Sequence, residues 1–169
     1  QTANILQFLG PRLGLVPKDQ ESRLWVHQLQ LTITDWVAEI GLTHHPIANA
    51  LYYEEQKEEA KKRAAFFTSQ RIPKFMGYYE KILTQNGKAK PYLLGKKACY
   101  ADLSLFQVVE GLRYAFPKRM KRFEKKVPRL IALHDRVARR PRIAAYLQSE
   151  RRIPFSQWGI YRYFKELDG

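Results

Sequence analysis

An all-α fold is what the sequence predicts, and three observations carry it. Apolar residues recur at threes and fours, as in Leu24, Trp25, Leu29, Ile33, Trp36, Val37 and Ile40, which is the helical period. No stretch alternates with the period of two that a half-buried strand needs, and β-branched residues are sparse. A chain of 169 residues with 45% hydrophobic and 27% charged side chains has the balance of a globular domain able to bury its own core.

Taken in order, the first element is a short amphipathic helix over residues 1–11, with Ile5, Phe8 and Leu9 on one side and Gly10-Pro11 expected to end it. No initiator methionine or leader precedes it, so it reads as the last element of something upstream. Residues 12–18, with Gly14 and Pro17, are expected to form a linker, and residues 19–169 the main helical domain. The Leu24–Ile40 pattern is a helix closed by Gly41, and a loop with His44, His45 and Pro46 follows. A long helical stretch over residues 52–83 carries Ala60, Ala64, Phe67, Phe75, Tyr79 and Ile82 on one face. Pro73 removes a backbone donor and crowds the preceding turn, so a kink or break near Arg71 is expected. Asn86-Gly87 marks a turn, and helices follow over about residues 100–114, 128–139 and 142–149. Pro128 and Pro141 stand where first-turn prolines do. The last twenty residues form an aromatic tail with Phe155, Trp158, Tyr161, Tyr163 and Phe164.

Thirty Lys and Arg against sixteen Asp and Glu give a net charge of +14. Between Arg113 and Arg152 fourteen basic residues face only Glu124, Asp135 and Glu150, so this stretch supplies most of that excess. Such a surface concentrates anions, nucleic acid among them; the plainer reading is a solvated face. No run of about 18 apolar residues spans a bilayer and the N-terminus lacks the order of a secretory signal, so no membrane is expected and the default address is cytoplasmic. The single cysteine, Cys99, excludes an internal disulfide and a cysteine-rich zinc site. Adjacent His44 and His45 give poor coordination geometry, and no metal is expected. His27, and His134 beside Asp135, could form an acid-base pair only if the fold brought them together; core or surface roles are the alternative. No Ser-His-Asp order, phosphate loop or dinucleotide glycine motif is present.

Three pieces in the right order resemble the glutathione S-transferase family. Gly95-Lys96-Lys97-Ala98-Cys99-Tyr100-Ala101-Asp102-Leu103-Ser104-Leu105-Phe106 looks like the segment that caps the core helix of that family's α-helical domain. An N-cap acceptor and an acid three positions on satisfy each other's orphan amides, which fixes where a buried helix begins. Asp102 can do its half; Cys99 stands where the family has Ser or Thr, and a thiol is a poor acceptor, weakening the cap by about 1 kcal/mol. The second piece, Val127-Pro128-Arg129-Leu130 through Tyr146-Leu147, is similar to the family's closing helix pair. The third, Gln1-Thr2-Ala3-Asn4-Ile5, resembles the end of its thioredoxin-like domain, where an acid or amide and a hydroxyl hold the γ-glutamyl end of glutathione. A helix start suits that carboxylate.

The resemblance implies the helical bundle of the family's C-terminal domain, preceded at residues 1–11 by the last helix of a thioredoxin-like domain. It implies conjugation of the glutathione thiolate to a hydrophobic electrophile in a cytoplasmic homodimer, with active sites near the subunit boundary. Gln1, Thr2 and Asp35 are the implied glutathione ligands; Asp35 resembles a position from which one subunit reaches glutathione in the other, the alternative being a salt bridge with Arg or Lys. His45, Tyr52 and Trp158 are the expected substrate-pocket residues, since aromatic faces suit an electrophile, although such side chains also simply pack a tail. Cys99 and Asp102 are structural caps. The Tyr, Ser or Cys that stabilises the thiolate in the family lies in a region before Gln1, so the catalytic residue is unknown and the 169 residues alone are expected not to conjugate. The rival reading is a non-catalytic interaction module of the kind built into translation factors and synthetase-associated scaffolds, for which nucleic acid is a possible partner.

Overall fold

The computed structural model describes residues 1–87 and 89–169. Eight α-helices, α1 (Thr2–Arg12), α2 (Gln20–Gly41), α3 (Lys57–Phe66), α4 (Ile72–Asn86), α5 (Tyr100–Ala115), α6 (Pro117–Phe123), α7 (Pro128–Ala138) and α8 (Pro141–Leu147), form a bundle. Among the described residues there is no strand, only the isolated bridge Tyr92–Gly95. The most buried helix is α5, which packs on α2 and α7 and contributes Leu105, Val108, Val109 and Leu112 to the core. On α2, Trp36 stacks against Phe75 at 5.2 Å and Tyr79 at 6.5 Å, and the Tyr79 hydroxyl donates to the Leu29 carbonyl.

The first helix runs past its expected end. Gly10 and Pro11 lie inside α1, in its last turn. The helix stops instead at Gly14, whose φ of 66° lets Leu15 N–H reach Gly10 O (2.8 Å) and Gly14 N–H reach Pro11 O (3.4 Å); these two bonds form a Schellman motif. Gly10 is also a contact residue: a Cβ there would meet the Tyr100 ring at 2.6 Å. Tyr100 N–H in turn donates to Leu15 O (3.0 Å), so α1 and the following turn are docked on the start of α5.

The expected kink at Arg71 is a π turn over Phe67–Arg71 joining α3 to α4. A wider turn accommodates the proline two residues on, and the Thr68 and Ser69 hydroxyls donate to the Ala64 and Ala65 carbonyls (2.9 and 2.8 Å), satisfying acceptors that the disturbed ladder releases. Arg71 then locks this turn to α2 through two bonds to Glu39 (2.7 and 2.6 Å).

Four α-helix starts are capped by side chains among the described residues, that of α2 by Asp19, which accepts from Ser22 N–H (2.8 Å). Asp102, fully buried, accepts from Cys99 N–H (2.7 Å) and from Leu93 N–H (2.9 Å). Its carboxyl is pushed up by burial, while the two amides act the other way. Glu80 accepts from Arg129 and Leu130 N–H at the start of α7 (3.2 and 2.8 Å). Asp168 accepts from Lys118 and Arg119 N–H at the start of α6 (2.8 and 3.1 Å). The helix α6 has no counterpart among the sequence expectations.

Candidate functional site

The positions expected to serve binding separate onto different faces of α1 and α2. On α2, Gln30, Ile33, Thr34 and Val37 recur at helical spacing and form one wall of a cleft of about 410 Å³, opposite Thr2 and Leu6 of α1, Leu103, Ser104 and Gln107 of α5, and Ile160 and Tyr161 of the tail. A second cleft of about 720 Å³ continues toward the C-terminal end of α2 and is lined by Ala38, Leu42, His45, Asn49, Trp158 and Arg162 among others. Thr34, Val37 and Ile160 line both clefts, so together they make one apolar trough along α2. Gln30 is buried in its wall with Oε1 lacking any donor.

The tail that forms the far wall has little regular structure beyond a 3₁₀ turn at Lys165–Leu167, so side chains hold it. The Tyr161 ring fills the slot left by the absent side chain of Gly111. Phe155 stacks on Tyr114 at 5.2 Å and Phe164 on Tyr53 at 3.6 Å, and the Tyr53 hydroxyl donates to Glu166 (3.0 Å). His44 ties the tail to the loop after α2: its Nε2 lies 2.9 Å from Ile160 O. A carbonyl can only accept, so Nε2 carries the proton; His44 Nδ1 is then the acceptor facing His45 Nδ1. Burial first, with the charge of Arg162 in the same direction, lowers the His44 pKa to about 4, and burial lowers that of His45 as well. Both imidazoles are therefore neutral surfaces at physiological pH. Loop 47–51 beside them is stapled by Gln56, fully buried, which accepts from Ile47 N–H (2.9 Å) and donates to Ala48 O and Leu51 O (3.1 and 3.2 Å).

Of the pocket residues expected from sequence, His45 and Trp158 face the same cleft, Trp158 standing 88% exposed at its rim. Tyr52 is 74% exposed and outside both clefts. Thr2 lines the first cleft, while Gln1 is exposed and its side chain caps nothing. Asp35 is exposed on the next face of α2, alongside exposed Leu31 and Leu42, and no ion pair to it is present among the described residues. His134 does meet Asp135 at 2.9 Å, and also Glu110 at 2.9 Å. The His134 contact first, with Arg152 and Arg113 in the same direction and burial opposing them, leaves the Glu110 carboxyl low, at about 2. Because Glu110 also binds Arg152 (3.1 Å), the cluster anchors the tail; His27 takes no part in it.

As site residues, Val37, Ile160, Ser104 and Gln107 escaped the sequence reading. Ser104 and Gln107, three apart on α5, were the available signal. The trough can bind an apolar group and offer it a few polar contacts. It brings no activated nucleophile: burial pushes the Cys99 thiol and the phenols of Tyr53, Tyr79 and Tyr161 upward, and Tyr100 to about 12. Among the described residues no group of three His, Cys, Asp or Glu could hold a metal ion, and no helix is long and apolar enough to cross a membrane.

Comparison with known proteins gives these features a context. The family model "Glutathione S-transferase, C-terminal domain" matches residues 43–150. Glutathione S-transferase P 1 of Xenopus laevis is 24% identical over 152 residues, covering 90% of this chain and 64% of that protein. A glutathione S-transferase of Plasmodium falciparum is 30% identical over 95 residues, 54% of this chain and 43% of that one. The chain thus spans less than two thirds of the length of these relatives. Among solved structures, the prostaglandin synthase D of Nilaparvata lugens superimposes with a TM-score of 0.72 at 19% identity, over 91% of this chain and 69% of that one, a likeness of fold.

Proposed function

This chain belongs to the glutathione S-transferase family through its C-terminal helical domain, and from that premise we propose that it supplies the helical half of an enzyme that joins the glutathione thiolate to hydrophobic electrophiles. The observation that carries the reading is the trough along α2. Its apolar wall of Val37, Ala38 and Ile160, with Trp158 at the rim and neutral His44 and His45 at the end, suits an uncharged, flat or aliphatic electrophile. Thr2, on the same trough, is the proposed contact to the γ-glutamyl carboxylate, with Gln1 beside it.

The proposed thiol-activating group is a residue of a thioredoxin-like domain. Every thiol or phenol whose titration is displaced in this chain moves away from ionisation at neutral pH, which is the wrong direction for stabilising a second thiolate. The outer face of α1, with Ile5 55%, Phe8 58% and Leu13 64% exposed, is the proposed seat of that domain. A cytoplasmic homodimer is part of the same proposal. Leu24 and Leu31 of α2, Leu42 just after it and Phe66 of α3 are exposed, and Asp35 among them would reach the γ-glutamyl ammonium bound to the other subunit.

The test is fluorescence titration of the chain with S-hexylglutathione. Saturable quenching that disappears in Trp158→Phe is expected, because that indole stands at the trough's rim. A flat titration of the folded wild-type chain would reject the assignment of the trough.

A further inference from the structure

Six cations crowd the ten residues from Pro117 to Lys126: Lys118, Arg119, Lys121, Arg122, Lys125 and Lys126. Elsewhere in the basic half, four arginines hold the fold together. Arg113 binds Glu124 and Glu110, Arg152 binds Glu110, and Arg129 and Arg136 donate to the carbonyls of Leu83 and Pro91. Among the described residues no ion pair engages any of the six on α6 and the turn after it. The single acid within the segment, Glu124, is turned into Arg113 by two bonds of 2.7 and 3.1 Å, so it neutralises none of them. Asp168 lies near, and its two oxygens are occupied by the backbone amides of Lys118 and Arg119.

The cations are also ordered in space. Lys118 is three and four residues from Lys121 and Arg122, and these are four and three residues from Lys125, the spacings that neighbour one another on a helix surface; all four are exposed. On the adjoining side Arg119, Arg122 and Lys126 line a cleft of about 390 Å³ against the π turn at Thr68 and Ser69, and Arg119 Nε is buried with no acceptor on it. A concave, uncompensated guanidinium pair beside a row of exposed ammonium groups matches an extended polyanion, whose charges repeat along a line, better than a single small anion. No large apolar side chain of the segment is exposed, so nothing here would enter a bilayer.

We propose that this ridge binds the phosphate backbone of nucleic acid, with one phosphate seated on Arg119 and Arg122 in the cleft and its neighbours on Lys118, Lys121 and Lys125. Phosphate contacts alone carry no base specificity, so the affinity is sequence-independent and steeply dependent on salt. The proposal is independent of the transferase reading, since none of these residues touches the trough.

The experiment is fluorescence anisotropy of a short labelled duplex titrated with the chain between about 50 and 200 mM salt. The triple variant Lys121→Glu/Arg122→Glu/Lys125→Glu is compared with Lys18→Glu/Lys96→Glu/Lys97→Glu, which makes the same change in net charge on exposed lysines elsewhere. Circular dichroism checks that both are folded. The ridge variant is expected to bind at least about 10-fold more weakly at the lower salt and to lose about three from the slope of log K against log salt; the second variant is expected to keep most of both. Equal losses in the two variants would show attraction by net charge alone and overturn the assignment. So would a wild-type chain that ignores the duplex while binding vesicles rich in phosphatidylserine.

Discussion

Replacing Gly111 by alanine puts the structure's account of the tail under direct strain. A Cβ at this position would overlap the ring of Tyr161, against Cγ, Cδ1 and Cε1, and backbone in the middle of α5 has no room to retreat. Expelling the ring altogether would re-expose a side chain that is now only 9% accessible; at roughly 25 cal/mol per Å2 over about 200 Å2 that is an upper bound of about 5 kcal/mol. Partial shifts in overpacked cores cost about 1–3 kcal/mol, and alanine in a helix returns about 1 kcal/mol relative to glycine. A net loss of up to about 2 kcal/mol is therefore expected in urea unfolding followed by far-UV circular dichroism. In a Tyr161→Ala background the clash is gone, and the same substitution should become neutral or stabilising by up to about 1 kcal/mol. An equal penalty for Gly111→Ala in the two backgrounds would refute the slot and, with it, the argument that Tyr161 fixes the trough's far wall.

Asp102→Ala leaves two buried amides, those of Leu93 and Cys99, without acceptors, and should cost about 2–4 kcal/mol in the same unfolding assay; Cys99→Ser, which supplies a better cap acceptor, should recover up to about 1 kcal/mol. His44 has a folded-state pKa of about 4 against an ordinary value of 6.5, so the unfolded chain binds more protons between those values. Its contribution to stability is complete above about pH 6.5 and is lost as pH falls toward 4; unfolding midpoints measured across that window should flatten in His44→Gln. The 169-residue chain by itself is expected to give no conjugation of glutathione to a chromogenic aryl halide above the uncatalysed rate, and measurable turnover would refute the placement of the thiol-activating group outside it.

Local signals explain what could be read beforehand. Periodicity located α2, α5 and α7 because each buries one stripe, and Pro73 announced the disturbance at Arg71 because its chemistry permits no regular turn. What escaped depends on residues far apart in sequence. The starts of α6 and α7 open on Pro117 and Pro128 with no local side-chain acceptor; their caps come from Asp168 and Glu80, each about fifty positions away. The apolar spacing of Phe116, Met120 and Phe123 was a usable signal for α6, masked by the cations between them. At the site, the helix of Asp35 was identified correctly, but adjacent positions on a helix face different ways. Only packing reveals that Thr34 faces the trough while its neighbour Asp35 faces outward.

The tail couples these two scales. Having no ladder of its own, it is positioned by anchors that each contribute a modest amount: Arg152 on Glu110, Phe155 on Tyr114, Tyr161 in the Gly111 slot, His44 on Ile160, and Phe164 on Tyr53. Side-chain anchors of this kind allow local opening at a lower free energy than global unfolding. The wall of the trough can therefore adjust to ligands of different shape while α2 and α5, held by the core, stay fixed. In the transferase reading this places breadth of electrophile choice in residues 153–164, and it places the fixed polar contacts, Thr2 and Gln30, on the helices.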